Sequence, residues 1–152
     1  MVLTITEVMR YSFLVFTLLI CTSVFSQNWE ETYSDANAKS KEQSKPLILV
    51  FSGSDWCAPC IKLDKKIWQS EEFKTYAKAS YVLYKADFPR KKTNRLSAEL
   101  QVQNEKLAEK YNPKGYFPLV IILDAKEEVL GRTGYANSTP EEYLSKLNAF
   151  IN

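Results

Sequence analysis

The uninterrupted apolar run Leu47-Ile48-Leu49-Val50-Phe51 is set between Pro46 and the turn-prone Ser52-Gly53-Ser54-Asp55. Successive side chains of a strand point to opposite faces, so a short run with no polar position suits a strand covered on both sides. Such a strand needs a layer of other elements above it and another below it. The chain must therefore build a layered domain around residues 47–51.

The flanking patterns supply those layers. Trp29, Tyr33, Ala36 and Ser40 recur at helical spacing and predict an amphipathic lead-in helix that Pro46 ends. After the central strand, Cys60, Leu63 and Ile67 mark the inner side of a helix beginning near Cys57, and Ser70-Glu71-Glu72-Phe73 opens another. Tyr81 to Ala86 reads as a second strand that ends at Asp87-Phe88-Pro89, and a basic loop follows from Arg90 to Arg95. Ser97 is the expected N-cap of a helix with Leu100, Leu107, Ala108 and Tyr111 on one face, closed by Asn112-Pro113-Lys114-Gly115. Leu119 to Leu123 and Glu128 to Arg132 form a hairpin around Asp124-Ala125-Lys126. Thr139-Pro140-Glu141-Glu142 is a capping box opening a last helix. Strands joined through helices are expected to be parallel neighbours, with the hairpin adding an antiparallel edge. The expected fold class is α/β, with a mixed central sheet of about four strands flanked by helices on both faces, an order of elements that resembles a thioredoxin-like topology.

The length of 152 residues suits one domain. Lysine and arginine number 20 against 18 acidic residues, a balance that points to no nucleic-acid partner. Histidine is absent, which excludes Cys-His and Ser-His nucleophilic sites and imidazole metal ligands. Residues 11–25 are an uncharged apolar run preceded by Arg10 and followed by Ser26, the plan of a secretory signal peptide. Val24 and Ser26 occupy the positions before the cut where small residues are needed. This divides the chain into a leader, 1–26, and a domain, 27–152. Glu7 stands upstream of Arg10, and a start at Met9 would give a cleaner leader. A run of this length falls short of the roughly 20 residues that span a bilayer, so no stable membrane span is expected after cleavage. Cys21 lies within the run, and the bulky Ile20 before it argues against lipid attachment there.

The remaining cysteines, Cys57 and Cys60, form Trp56-Cys57-Ala58-Pro59-Cys60 at the predicted helix start. A thiol in a first helical turn lies near unpaired backbone N–H groups and the positive end of the helix dipole, and both favour the thiolate. Cys57 is therefore the expected nucleophile, with its pKa drawn down from about 8.5. Cys60, one turn later, can resolve a mixed disulfide. Pro59 stiffens the turn at a position that needs no N–H, Ala58 keeps the surface beside Cys57 small, and Trp56 can flank the sulfur. A structural zinc site wants four ligands and the domain offers two cysteines, so no metal is assigned. An inert structural disulfide would usually close a longer loop. A Cu(I)-binding dithiolate is the alternative outside redox chemistry, because thiolates are soft ligands.

These residues resemble the thioredoxin superfamily: a strand, then Asp55-Trp56-Cys57-Ala58-Pro59-Cys60, then Tyr116-Phe117-Pro118 at a strand start, over roughly residues 29–152. More narrowly, Phe51-Ser52-Gly53-Ser54-Asp55-Trp56-Cys57 together with Asp87-Phe88-Pro89-Arg90 is similar to exported thioredoxin-like proteins of bacteria, which include periplasmic disulfide reductases and isomerases. The resemblance implies that Pro118 is cis and faces the sulfurs, and that the backbone of Phe117 pairs with substrate. It also implies a departure. Cytoplasmic thioredoxins carry a buried Asp six residues before the first cysteine, and here that position is Phe51. Lys85 stands where the Lys that pairs with that Asp is expected, and Asp87 or water is the substitute acceptor, but Lys85 and Asp87 read more simply as solvated strand-end residues.

The expected function is a protein-disulfide reductase or isomerase of exported proteins, periplasmic and monomeric, with a net disulfide oxidase as the alternative within the class. It needs no cofactor of its own, having no Gly-rich dinucleotide motif. Its partners are disulfide-containing exported proteins and a dithiol electron-donor protein. The cluster of Arg90, Lys91, Lys92 and Arg95 reads as a solvated loop or as a docking site for an acidic partner.

Overall fold

A computed structural model describes residues 29–151. The leader, the Met9 start and Cys21 lie outside the described residues. The elements are β1 (Trp29–Glu30), α1 (Tyr33–Gln43), β2 (Leu47–Ser52), α2 (Ala58–Leu63) continuing into a π-helical turn (Asp64–Trp68), α3 (Glu71–Ser80), β3 (Val82–Asp87), a 3-10 turn (Lys92–Asn94), α4 (Ala98–Tyr111), β4 (Leu119–Leu123), β5 (Val129–Thr133) and α5 (Pro140–Asn148). No helix among the described residues is long and apolar enough to cross a membrane.

The expected caps are formed. The hydroxyls of Ser70, Ser97 and Thr139 accept the N–H groups of Phe73, Leu100 and Glu142, and the Glu142 carboxylate completes the capping box on the Thr139 N–H. The left-handed Ser44 (φ 51°) ends α1 before Pro46 can.

Among the described residues the sheet order is β1-β3-β2-β4-β5, five strands rather than about four. The additional strand is β1. Trp29 pairs in parallel with Leu83 and does not belong to the lead-in helix, which begins after the Thr32 cap. Its ring lies edge-on to Trp68 at 5.9 Å, so tertiary contact and not helical periodicity decides its conformation.

β2 is parallel to β3 but antiparallel to β4, although a helix joins β3 to β4. The register gives the reason. Ser52 pairs with Asp87, and Phe51 with Leu119, so the chain leaves β3 and enters β4 at the same edge of the sheet. The 88–118 connection returns the chain to the edge it left, and the parallel crossover rule does not apply to it.

The apolar run of β2 separates two cores, as its pattern requires. Ile48 and Val50 join Leu63, Ile67, Trp68, Phe73, Tyr143 and Leu147 on the face covered by α2, the π turn, α3 and α5. Leu47, Leu49 and Phe51 join Ala36, Tyr84, Leu107 and Tyr111 on the face covered by α1 and α4. Trp68 anchors the first core, 1% exposed, with Phe73 at 4.6 Å and Tyr143 at 5.5 Å between ring centroids. Trp68→Ala removes these contacts and leaves a void that surrounding helices fill only in part. We expect a loss of about 3–5 kcal/mol of folding stability, read from chemical denaturation midpoints.

Candidate active site

The shared edge of β2, β3 and β4 gathers three loops. After Ser52 the chain turns through Gly53 to Trp56, and the Cys57 N–H donates to the Gly53 carbonyl at 2.9 Å. Cys57 is then the N-cap of α2, with extended backbone, and its Sγ accepts the Cys60 N–H at 3.3 Å. A sulfur thus occupies the position where a Ser or Asp side chain usually satisfies a free helix N–H. Cys57 and Cys60 are joined as a disulfide, 5% and 4% exposed. Ala58 and Pro59 lie exposed over the first turn, with Pro59 in the early position its missing N–H allows.

The third loop brings Phe117 and Pro118 to the same edge, and their peptide bond is cis as the resemblance implies. Asn112, buried at the end of α4, fixes the approach. Its side-chain amide donates to the Tyr116 carbonyl and accepts the Tyr116 N–H, each at 2.9 Å. Phe117 packs edge-on to Trp56 and to Phe88, both at 5.5 Å. Phe51, fully buried where the resemblance expects a carboxylate, stacks on Phe88 at 6.5 Å. The departure therefore extends a continuous aromatic column, Phe51-Phe88-Phe117-Trp56, from the core to the rim of the site.

Trp56 is held from several sides. Its indole N–H donates to the Phe88 carbonyl at 2.8 Å, and the Arg90 guanidinium sits 3.7 Å above its ring. A Cβ on Gly53 would lie 2.3 Å from the ring, so glycine is what lets the indole fold back over the turn. Two carboxylates lock the loops together. Asp87 accepts the Ser54 N–H and hydroxyl, and Asp55 accepts the N–H groups of Arg90 and Lys91, each at 2.9 Å, and the Asn94 amide at 3.0 Å.

The structure adds partners to two residues expected to be solvated. Lys85 and Asp87 are partly exposed strand-end residues, as expected, but both are also paired: Lys85 forms an ion pair of 2.9 Å with Asp64, beside Trp29, and Asp87 is the lock just described. Each side chain found a partner far along the chain, which a strand-end position alone does not reveal. Asp55, Arg90, Phe88 and Gly53 lie in the segments that carried the resemblance, but their mutual contacts have no local periodicity. Among the described residues no group of three or more Cys, Asp or Glu side chains is placed to hold a metal ion.

Residues 28–125 match the thioredoxin-like family. The chain is 37% identical over 121 residues to the disulfide bond reductase DsbH of Chlamydia pneumoniae, covering 80% of this chain and 71% of that protein. It is 31% identical over 112 residues to the thioredoxin-related protein DsbJ of the same organism, covering 73% of this chain but only 31% of that protein. The solved structure of DsbH oxidoreductase superimposes with a TM-score of 0.77 at 35% identity, covering 83% of this chain and 85% of that one.

The backbone N–H of Arg90 chiefly, then that of Lys91 and the Asn94 amide, hold the Asp55 carboxyl below its ordinary pKa. The folded value lies below the unfolded one, so this tie is intact above the unfolded pKa and is lost as pH falls through the folded value. The Arg90 and Lys91 amide resonances should therefore shift together as pH drops below the usual carboxylate range. Asp55→Asn should flatten both profiles, and a flat wild-type profile would contradict the assignment.

Proposed function

Because this chain belongs to the thioredoxin-like family and is a protein-disulfide oxidoreductase, we propose that it reduces or isomerises disulfides of exported proteins through a Cys57/Cys60 cycle. The observation that carries the reading is the seating of the Cys57 sulfur at the N-cap of α2, accepting the Cys60 N–H, at the sheet edge shared with the cis Phe117-Pro118 bond.

In the reducing direction the Cys57 thiolate attacks a substrate disulfide, forming a mixed disulfide and expelling one substrate thiolate. Cys60, as thiolate, then attacks the Cys57 sulfur and expels the second. The Cys57–Cys60 disulfide forms as the substrate gains two electrons, and a dithiol donor protein restores the reduced pair. Backbone N–H groups at the helix start favour negative charge on Cys57, the sulfur that is both attacking and leaving group. Trp56, Phe117 and Pro118 form the surface against which the substrate chain lies, with the Phe117 backbone as its pairing partner. Ala58 and Pro59 keep the approach to Cys57 low. The name of the DsbH relative, a disulfide bond reductase, supports the reducing direction.

The reading includes a leader over residues 1–26, export to the periplasm and action as a monomer. Expression with the leader should yield a mature chain whose N-terminal sequence begins at Gln27. An unprocessed N-terminus in the exported fraction would refute the cleavage.

The equilibrium potential of the Cys57–Cys60 pair, titrated against glutathione, tests the chemistry. A value near or below about −220 mV is expected, and one near −120 mV would assign a net oxidase. Cys57→Ser should abolish the couple, and a folded wild-type protein with no reversible two-electron couple would end the redox reading.

A further inference from the structure

The aromatic face of Trp56 and Phe117 continues into a cavity of about 780 Å³ between the 88–96 loop and the N-terminal half of α4. That volume lies within the range of sites that enclose ligands. The cavity is lined by Trp56 and Phe117, the neighbours of Cys57 and Pro118, so a polypeptide held at the sulfurs has its flanking residues beside the cavity mouth. We propose that this cavity recognises an acidic segment beside the reactive cysteine of the substrate polypeptide, with an apolar side chain next to its carboxylates. The inference rests on the oxidoreductase reading and names the class of substrate that reading would take.

The lining matches such a segment. Arg90, Lys91 and Arg95 contribute cationic side chains, and none of them makes a salt bridge among the described residues. Arg90 is already held in place: its guanidinium carbon lies 3.7 Å from the centroid of the Trp56 ring, and a guanidinium held over an aromatic face keeps N–H donors at its edge for a carboxylate. Ordering before binding reduces the entropy lost when the contact forms. Against these three cations the lining sets two acids, Asp87 and Glu105. Asp87 has both oxygens turned to Ser54, and Asp55, which is not among the lining residues, accepts from Arg90, Lys91 and Asn94. Glu105, on the α4 wall, is the remaining carboxylate. Phe88 extends the apolar floor from Trp56 and Phe117, which gives a neighbouring apolar side chain its place.

The test uses the reduced full chain and stopped-flow fluorescence to follow its oxidation by synthetic disulfide peptides. The peptides are identical except for paired Glu or paired Gln residues placed, in turn, on either side of the cysteine. Uncharged hydroxyethyl disulfide is the control for the thiol chemistry. We expect the Glu peptide to react about tenfold faster than its Gln counterpart in one placement at low ionic strength. The ratio should fall to near one in about 1 M salt, where the screening length is about 3 Å, and in the Arg90→Gln/Arg95→Gln variant. A ratio below about twofold in both placements, with hydroxyethyl disulfide reduced normally, would overturn the inference and leave the redox reading standing. A large ratio that survives in the double variant would equally overturn the assignment to this cavity. Wild-type protein that cannot reduce hydroxyethyl disulfide would instead sink the redox reading, and this inference with it.

Discussion

Hydrogen bonding of β2 to a neighbour on each side is the constraint on which the rest of the structure depends. It fixes Ser52 opposite Asp87 and Phe51 opposite Leu119, so the ends of β2 and β3 and the start of β4 are level at one edge. The dithiol turn, the basic loop and the cis-proline loop thereby start from neighbouring positions, and their own contacts then lock them together. A one-residue slip would exchange the faces of the strand and exchange Phe51 for Val50 at the core behind the site. The two-sided apolar pattern resists that slip only weakly, since both faces are buried. Register is set instead by the ladder bonds and by polar ties at its end, such as the Phe88 N–H to the Ser52 carbonyl at 2.8 Å.

The chemistry at that edge is electrostatic on one side and apolar on the other. Backbone N–H groups at the start of α2 provide fixed partial charge for the Cys57 sulfur, and this needs no ionisable neighbour. The absent carboxylate at position 51 removes one buried charge that would have to be desolvated, and its place is taken by an aromatic stack. The nearby charged groups are spent differently. Lys85 and Asp64 pair with each other at partial exposure, 28% and 34%, where solvent screening leaves such a pair worth about 0–1 kcal/mol. The stack, and not an ion pair, is what supports the site from below.

How much was legible in the sequence follows from the range of the interaction that decides each residue. The dithiol, the helix caps at Ser70, Ser97 and Thr139, and the apolar central strand are local patterns, and each formed where its spacing placed it. The cis Phe117-Pro118 bond is legible only through family resemblance, since an X-Pro dipeptide alone does not specify its isomer. β1 was not legible: a two-residue strand has no periodicity to read, and Trp29 happens to fall at helical spacing from Tyr33. Asn104 is a related case. A polar residue on an inner helix face, it is 2% exposed because it accepts the Tyr84 hydroxyl and donates to the Asp87 carbonyl. Its place depends on β3, which no spacing within α4 encodes.

That asparagine also explains why the basic loop belongs to the site and is not an appendage. Asp87 is held at its carbonyl by Asn104 and at its carboxylate by Ser54, so one residue joins α4, β3 and the dithiol turn. Asp55 makes the complementary bond from the dithiol turn to the start of the basic loop. The two acids thus cross-link neighbouring loops in opposite directions, through contacts 33 to 39 residues apart in the chain. Trp56 lies between these links, with its indole bonded to Phe88 and its face under Arg90. A displacement of the basic loop would therefore have to carry the indole beside Cys57 with it. Loop position and the surroundings of the sulfur are set by a single network.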